Sequence, residues 1–106
     1  MATMEDRFLA VLVTLQPGEV VSYADVADVA GYPGRARAVG RLLATTAAEV
    51  PWWRVVRSDG RLVTDPPSRQ AALLRAEGVT VCANRVVDAP IGRFASVPAR
   101  SVGRRP

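Results

Sequence analysis

Histidine is absent from this 106-residue chain and cysteine occurs once, at Cys82. A lone cysteine excludes an internal disulfide framework. Without histidine, zinc-finger ligation and imidazole-based catalysis are excluded too, which removes most hydrolase chemistry. No apolar run approaches the roughly 20 residues needed to cross a bilayer. The first sixteen residues carry Glu5, Asp6 and Arg7 without a cleavable small-residue site, so neither a membrane span nor a secretory leader is expected and the expected location is cytoplasmic. Aromatic residues make up only 6% of the chain. Lysine is absent as well, so all fourteen cationic side chains are arginine.

What remains is 49% hydrophobic and 23% charged, an ordinary globular balance of about one small domain. The charge is uneven. Residues 1–34 hold five acids against Arg7 alone, a balance of −4, while residues 35–106 hold thirteen arginines against five acids, a balance of +8. A GC-rich genome would account for arginine in place of lysine, but not for this asymmetry. Arginine forks onto phosphates and stacks on bases, so a nucleic-acid partner is the leading expectation.

Spacing of apolar residues predicts a helix over Glu5–Leu15, stopped by Pro17-Gly18, and then a short extended link at Val20-Val21. Ser22 with Asp25 three residues later predicts a capped helix whose narrow apolar face is Val26, Ala27, Val29 and Ala30, ended by Gly31. Helical spacing resumes over Arg35–Thr45, so the pair reads as a helix-turn-helix. Its second helix carries Arg35, Arg37 and Arg41 among the small residues Ala36, Ala38 and Gly40, a composition suited to close approach to a groove. A solvated amphipathic helix is the simpler reading of that segment taken alone. After Pro51, the run Trp52–Arg57 is expected to form a hairpin through Ser58-Asp59-Gly60 with Arg61-Leu62-Val63. Asp65-Pro66-Pro67 reads as a stiff loop, Ser68 as the cap of a helix through Glu77, and Gly78 as its end. Val79–Cys82 and Arg85–Val87 predict a final ribbon. The expected organisation is one domain over 1–88 and a basic tail over 89–106, mainly α with a small β element.

The segment Pro51-Trp52-Trp53-Arg54-Val55-Val56, with Ser22-Tyr23, Arg37-Ala38-Val39-Gly40 and Leu73-Leu74-Arg75-Ala76-Glu77-Gly78, resembles the DNA-binding domain of the O6-alkylguanine-DNA alkyltransferases over about residues 5 to 80. In that family the central stretch reads Pro-Cys-His-Arg-Val, and the cysteine takes the alkyl group. Trp52 stands at the cysteine position here, which is the mark of the alkyltransferase-like proteins. The resemblance implies a winged helix-turn-helix domain that binds O6-alkylguanine in duplex DNA by nucleotide flipping, without alkyl transfer, and marks it for nucleotide excision repair. An indole is no nucleophile, so acceptor chemistry fails at Trp52. The activating histidine is replaced by Trp53, and Glu77 is then expected to pin the β element. An acceptor role for Cys82 is disfavoured because it follows the Glu77 helix.

Residue by residue, the resemblance makes Arg37 the side chain that enters the stack and Tyr23 the one that presses the adjoining phosphate. Arg35, Ala36, Ala38, Gly40 and Arg41 face the DNA, and Arg54 and Arg61 contact its backbone. Tyr23, Pro51, Trp52, Trp53, Val55 and Arg57 form the lesion pocket, Val55 and Arg57 through their carbonyls. Two departures stand out. Thr45-Thr46-Ala47 replaces the family's Asn-Pro hinge, and Val63–Pro67 replaces its Tyr-Ser-Gly-Gly loop. No cofactor is expected, the chain is expected to be a monomer, and its expected partners are the lesion duplex and excision-repair proteins, the latter contacting the Arg93–Arg105 tail. The alternative is a transcription regulator reading undamaged DNA with the same two helices.

Overall fold

The computed structural model describes residues 2–63 and 67–95. The Asp65-Pro66 part of the expected stiff loop and the tail beyond residue 95 lie outside them. Helix α1 (Met4–Leu12) starts at Thr3, whose hydroxyl accepts from the Asp6 N–H while the Asp6 carboxylate accepts from the Thr3 N–H. It buries Phe8 and Leu12 one turn apart. It ends three residues before the expected stop, where the Thr14 hydroxyl donates to the Val11 carbonyl at 2.6 Å. Leu15 is nonetheless buried, held by a turn from its own N–H to the Leu12 carbonyl.

The Val20-Val21 link is a strand, β1 (Glu19–Ser22). It lies at the centre of a parallel sheet between β2 (Val55–Val56) and β5 (Ile91–Gly92). Successive strand residues face opposite sides, and here the two sides serve two cores. Val55 joins Phe8, Leu12, Val26 and Val39 on one face. Val20 and Val56 join Leu74, Val81 and Val86 on the other. Three helices thus cover one side of the sheet, and α4 (Pro67–Ala76) with the hairpin β3 (Thr80–Cys82) and β4 (Arg85–Asp88) covers the other.

Helix α2 (Tyr23–Val29) carries the expected Ser22–Asp25 capping box. Val29 is not part of its buried face, being 74% exposed. Gly31 and Gly34, at φ of 93° and 85°, take left-handed conformations that cost glycine nothing and turn the chain into α3 (Ala36–Thr45).

Three expectations require correction. The 52–63 segment is not a two-strand hairpin. Trp52–Arg54 is a single 3-10 turn, β2 gives its edge to β1, and the returning Arg61 bridges Arg85 instead. Both valines of β2 are fully buried, because each of the two cores covers one face of this edge strand, a setting that a surface hairpin lacks. The second correction is the start of α4, which begins at Pro67 with Ser68 inside the first turn, a place where proline's missing N–H is harmless. The third concerns the boundary at residue 88. Ala89 is buried, β5 pairs with β1, and Phe94 packs against the second core, so the folded body reaches at least residue 95.

Candidate nucleic-acid interface

Trp52 and Trp53 stand side by side on the 3-10 turn but pack against different cores. Their rings meet edge to face, with centroids 5.9 Å apart and planes at 90°. Trp53 packs against the second core, and its indole N–H donates to Glu77 Oε2 at 2.9 Å. Trp52 leans on the first core and walls a cavity of about 370 Å³ with Tyr23, Gly40, Leu43, Ala44 and Val63. The size is that of an ordinary small-ligand site.

Of the six residues expected to line this cavity, only Tyr23 and Trp52 do so. Pro51 and Trp53 border a second cleft on the other side of Trp52. Val55 is fully buried, and its carbonyl accepts from the buried Gln70 amide at 3.1 Å. Its carbonyl is thus bonded within the fold. Arg57 is exposed beside the turn, close enough for its charge to act on Tyr23. Three residues were missed. Leu43 and Ala44 follow Gly40 by three and four residues on one helix face, a spacing that could have found them. Val63 carries no such signal, because its N–H is held by Gln70 Oε1 across the fold.

Tyr23 and Gly40 touch. A Cβ built at Gly40 would meet the Tyr23 ring at 3.8 Å, ordinary van der Waals distance. Burial pushes the Tyr23 phenol above its ordinary range and the Arg57 guanidinium opposes the shift, so the hydroxyl stays protonated at neutral pH. Among the described residues it has no hydrogen-bond partner, which leaves it open to a ligand. We expect Gly40→Ala to stabilise the fold by about 0.5–1 kcal/mol, because glycine is costly inside a helix. The added methyl enters the cavity beside the Tyr23 ring, so binding there should weaken several-fold. Thermal melts and titrations on one preparation check both signs.

Arginine in the first turn of α3 runs against the helix dipole, and that turn has no acidic residue. Arg35 stands at the N-cap position without a side-chain cap bond. Arg37 and Arg41 follow one turn apart, both exposed, and adjoin the Gly40–Ala44 stripe that lines the cavity. Among the described residues these three guanidiniums form no ion pair or hydrogen bond. The cationic edge thus costs the fold something and presents a positive field beside an open cavity. Ala36 is half-buried near this edge. Ala38 packs against the first core and lines a shallow depression with Glu5, Arg41 and Leu42.

Arg54 does not stand at the surface as a backbone-contacting residue would. Its Nε and Nη2 fork onto Glu77 at 3.0 and 2.7 Å, and its Nη1 donates to the Leu15 carbonyl at 2.8 Å. With every bonded direction spent inside the protein, it cannot reach a phosphate. Glu77 pins this assembly as expected, accepting also from the Gly18 N–H at 2.9 Å. Arg61 is exposed and shares Asp59 with Arg85.

Residues 3–79 match the family described as 6-O-methylguanine DNA methyltransferase, DNA binding domain. A DNA base-flipping protein of Vibrio parahaemolyticus is 38% identical over 84 residues, covering 72% of this chain and 84% of that protein. The structure of S. pombe Atl1 in complex with damaged DNA containing O6-carboxymethylguanine superposes with a TM-score of 0.68 at 27% identity, covering 77% of this chain and 82% of Atl1. The Mycobacterium tuberculosis OGT in complex with DNA gives 0.61 at 36% identity, over 69% of this chain and 48% of that one. With four helices and short strands among the described residues, this chain belongs to the 6-O-methylguanine DNA methyltransferase DNA-binding family, among its alkyltransferase-like members.

Proposed function

We propose that this protein binds O6-alkylguanine in duplex DNA by taking the nucleotide out of the stack, leaves the alkyl group in place, and thereby marks the adduct for nucleotide excision repair. In this reading α2 and α3 act as a helix-turn-helix and the β3–β4 hairpin as its wing. The observation that carries it is the Trp52 indole, which walls the cavity; the family resemblance is what assigns that position to the acceptor cysteine. An indole offers the extruded base a stacking face but no electron pair able to displace an alkyl group. Cys82, the single thiol, lines a different depression with Arg61, Asn84 and Arg85. Extrusion costs a few kcal/mol. Arg37 offsets it by filling the vacated place in the stack, where its planar cation also bonds the orphaned cytosine. The Tyr23 hydroxyl, unpartnered among the described residues, donates to the flipped nucleotide.

The test is a pair of duplexes with and without one O6-methylguanine. The lesion duplex should bind more tightly, and a footprint of about five phosphate contacts gives a slope of log affinity on log salt near −4 to −5. DNA labelled in the O6-methyl group should leave no label on the protein. Equal affinity for both duplexes removes the lesion reading, label on Cys82 removes the non-transfer reading, and tight binding to one undamaged sequence favours a transcription regulator. Monomeric behaviour on a sizing column is expected throughout.

A further inference from the structure

Three arginines from two stretches of chain gather around the Ser58-Asp59-Gly60 turn. Arg57 precedes it, Arg61 follows it, and Arg85 is brought in by the bridge between Arg61 and β4. One carboxylate serves two of them. Asp59 Oδ2 lies 3.4 Å from Arg61 Nε and 3.7 Å from Arg85 Nη2, in pairs that are 44–61% exposed. Arg57 has no ion pair among the described residues. Long, exposed pairs of this kind contribute little to stability, so their guanidiniums can exchange onto another anion at small cost.

The turn carrying them is held firmly. Gly60 has φ of 90°, and a Cβ there would stand 2.7 Å from the Val86 carbonyl oxygen, so the turn is pressed onto β4. Arg93 ties its other side to α2, donating from Nη1 to the Ser58 carbonyl at 3.1 Å while its Nε meets Asp25 at 2.9 Å. The patch borders the cavity by two routes. Arg57 acts on Tyr23 through its charge, and the chain reaches the lining residue Val63 two residues after Arg61.

We propose that Arg57, Arg61 and Arg85 form a second phosphate-contact surface that grips the backbone of the same duplex beside the cavity, independently of the arginines on α3. The proposal rests on the duplex-binding reading and adds to it a second grip, strutted by Arg93 from a segment beyond the matched family region. Asp59 tempers it. By holding two guanidiniums on one carboxylate it lowers the net positive charge that any duplex meets.

Salt titrations of the Arg61→Gln, Arg85→Gln double variant against wild type test this, on both lesion and undamaged duplexes. The slope should become shallower by about 1.8, roughly 0.9 for each of the two lost contacts. Between 50 and 200 mM salt the wild type should therefore lose roughly 12-fold more affinity than the variant. The loss at low salt should be the same factor on both duplexes, since phosphate contacts carry no lesion information. Asp59→Asn keeps an acceptor for the Arg61 N–H but removes a charge, and should tighten both duplexes. An unchanged slope, a loss confined to the lesion duplex, or weaker binding by Asp59→Asn would each overturn the second grip. A wild type without lesion preference would instead defeat the lesion reading and leave the slope comparison intact on undamaged DNA.

Discussion

Replacing Arg54 by alanine is expected to remove about 3 kcal/mol or more of folding free energy and to lower the melting temperature by roughly 12–24 °C. The side chains of Arg54 and Glu77 are only 11% and 14% exposed. Removing the guanidinium leaves a buried carboxylate supported by the Gly18 and Trp53 N–H groups alone, and leaves the Leu15 carbonyl without its donor. A loss of that size is a large fraction of the roughly 5–15 kcal/mol that holds a domain together. Arg54→Lys should recover part of it, since an ammonium supplies charge but cannot fork. Denaturant titration measures the effect, and a change below about 0.5 kcal/mol would mean that the ion pair is not structural.

The same pair sets an acid dependence. Burial raises the Glu77 pKa, but hydrogen bonds from Arg54, Gly18 and Trp53 and the Arg54 charge outweigh it, so the carboxyl stays below its ordinary 4.5. The unfolded chain then takes up a proton from about pH 4.5 downward while the folded chain resists. Stability is fully present above 4.5 and is lost as pH falls through the folded value. Arg54→Ala removes two of the lowering contributions, so its acid slope should be shallower than wild type.

Arg37→Ala should leave the fold intact and cost lesion binding about 1–3 kcal/mol, roughly 5- to 150-fold, on the scale of one lost stack. The undamaged duplex should lose no more than a few-fold, the value of one screened phosphate contact. Arg37 is exposed on the first turn of α3 and unpaired among the described residues, so truncation disturbs no packing. Anisotropy titrations with both duplexes give the two losses side by side. If they are equal, Arg37 is a general phosphate contact and another group fills the gap left by the flipped base.

Cap and period signals were sufficient for most helices because they act within four residues. Ser22 with Asp25 started α2 where expected, and Gly31 and Gly78 stand at left-handed positions after their helices. The motif around Trp52 likewise pointed to the family and to Tyr23 and Trp52 as neighbours, since a family motif encodes a common geometry. What the residues by themselves determined was thus the helical order, the tryptophan pair after Pro51 and the arginine edge of α3. Only the tertiary structure decided the rest. Two-residue strands such as β2 and β5 hold too few residues for alternation to register, and they exist because β1 pairs with both. Arg54 reads in sequence as one more arginine among fourteen. Its inward turn depends on Glu77 and Leu15, 23 and 39 positions away, and a contact between residues so far apart forms only once the two cores have closed around the sheet.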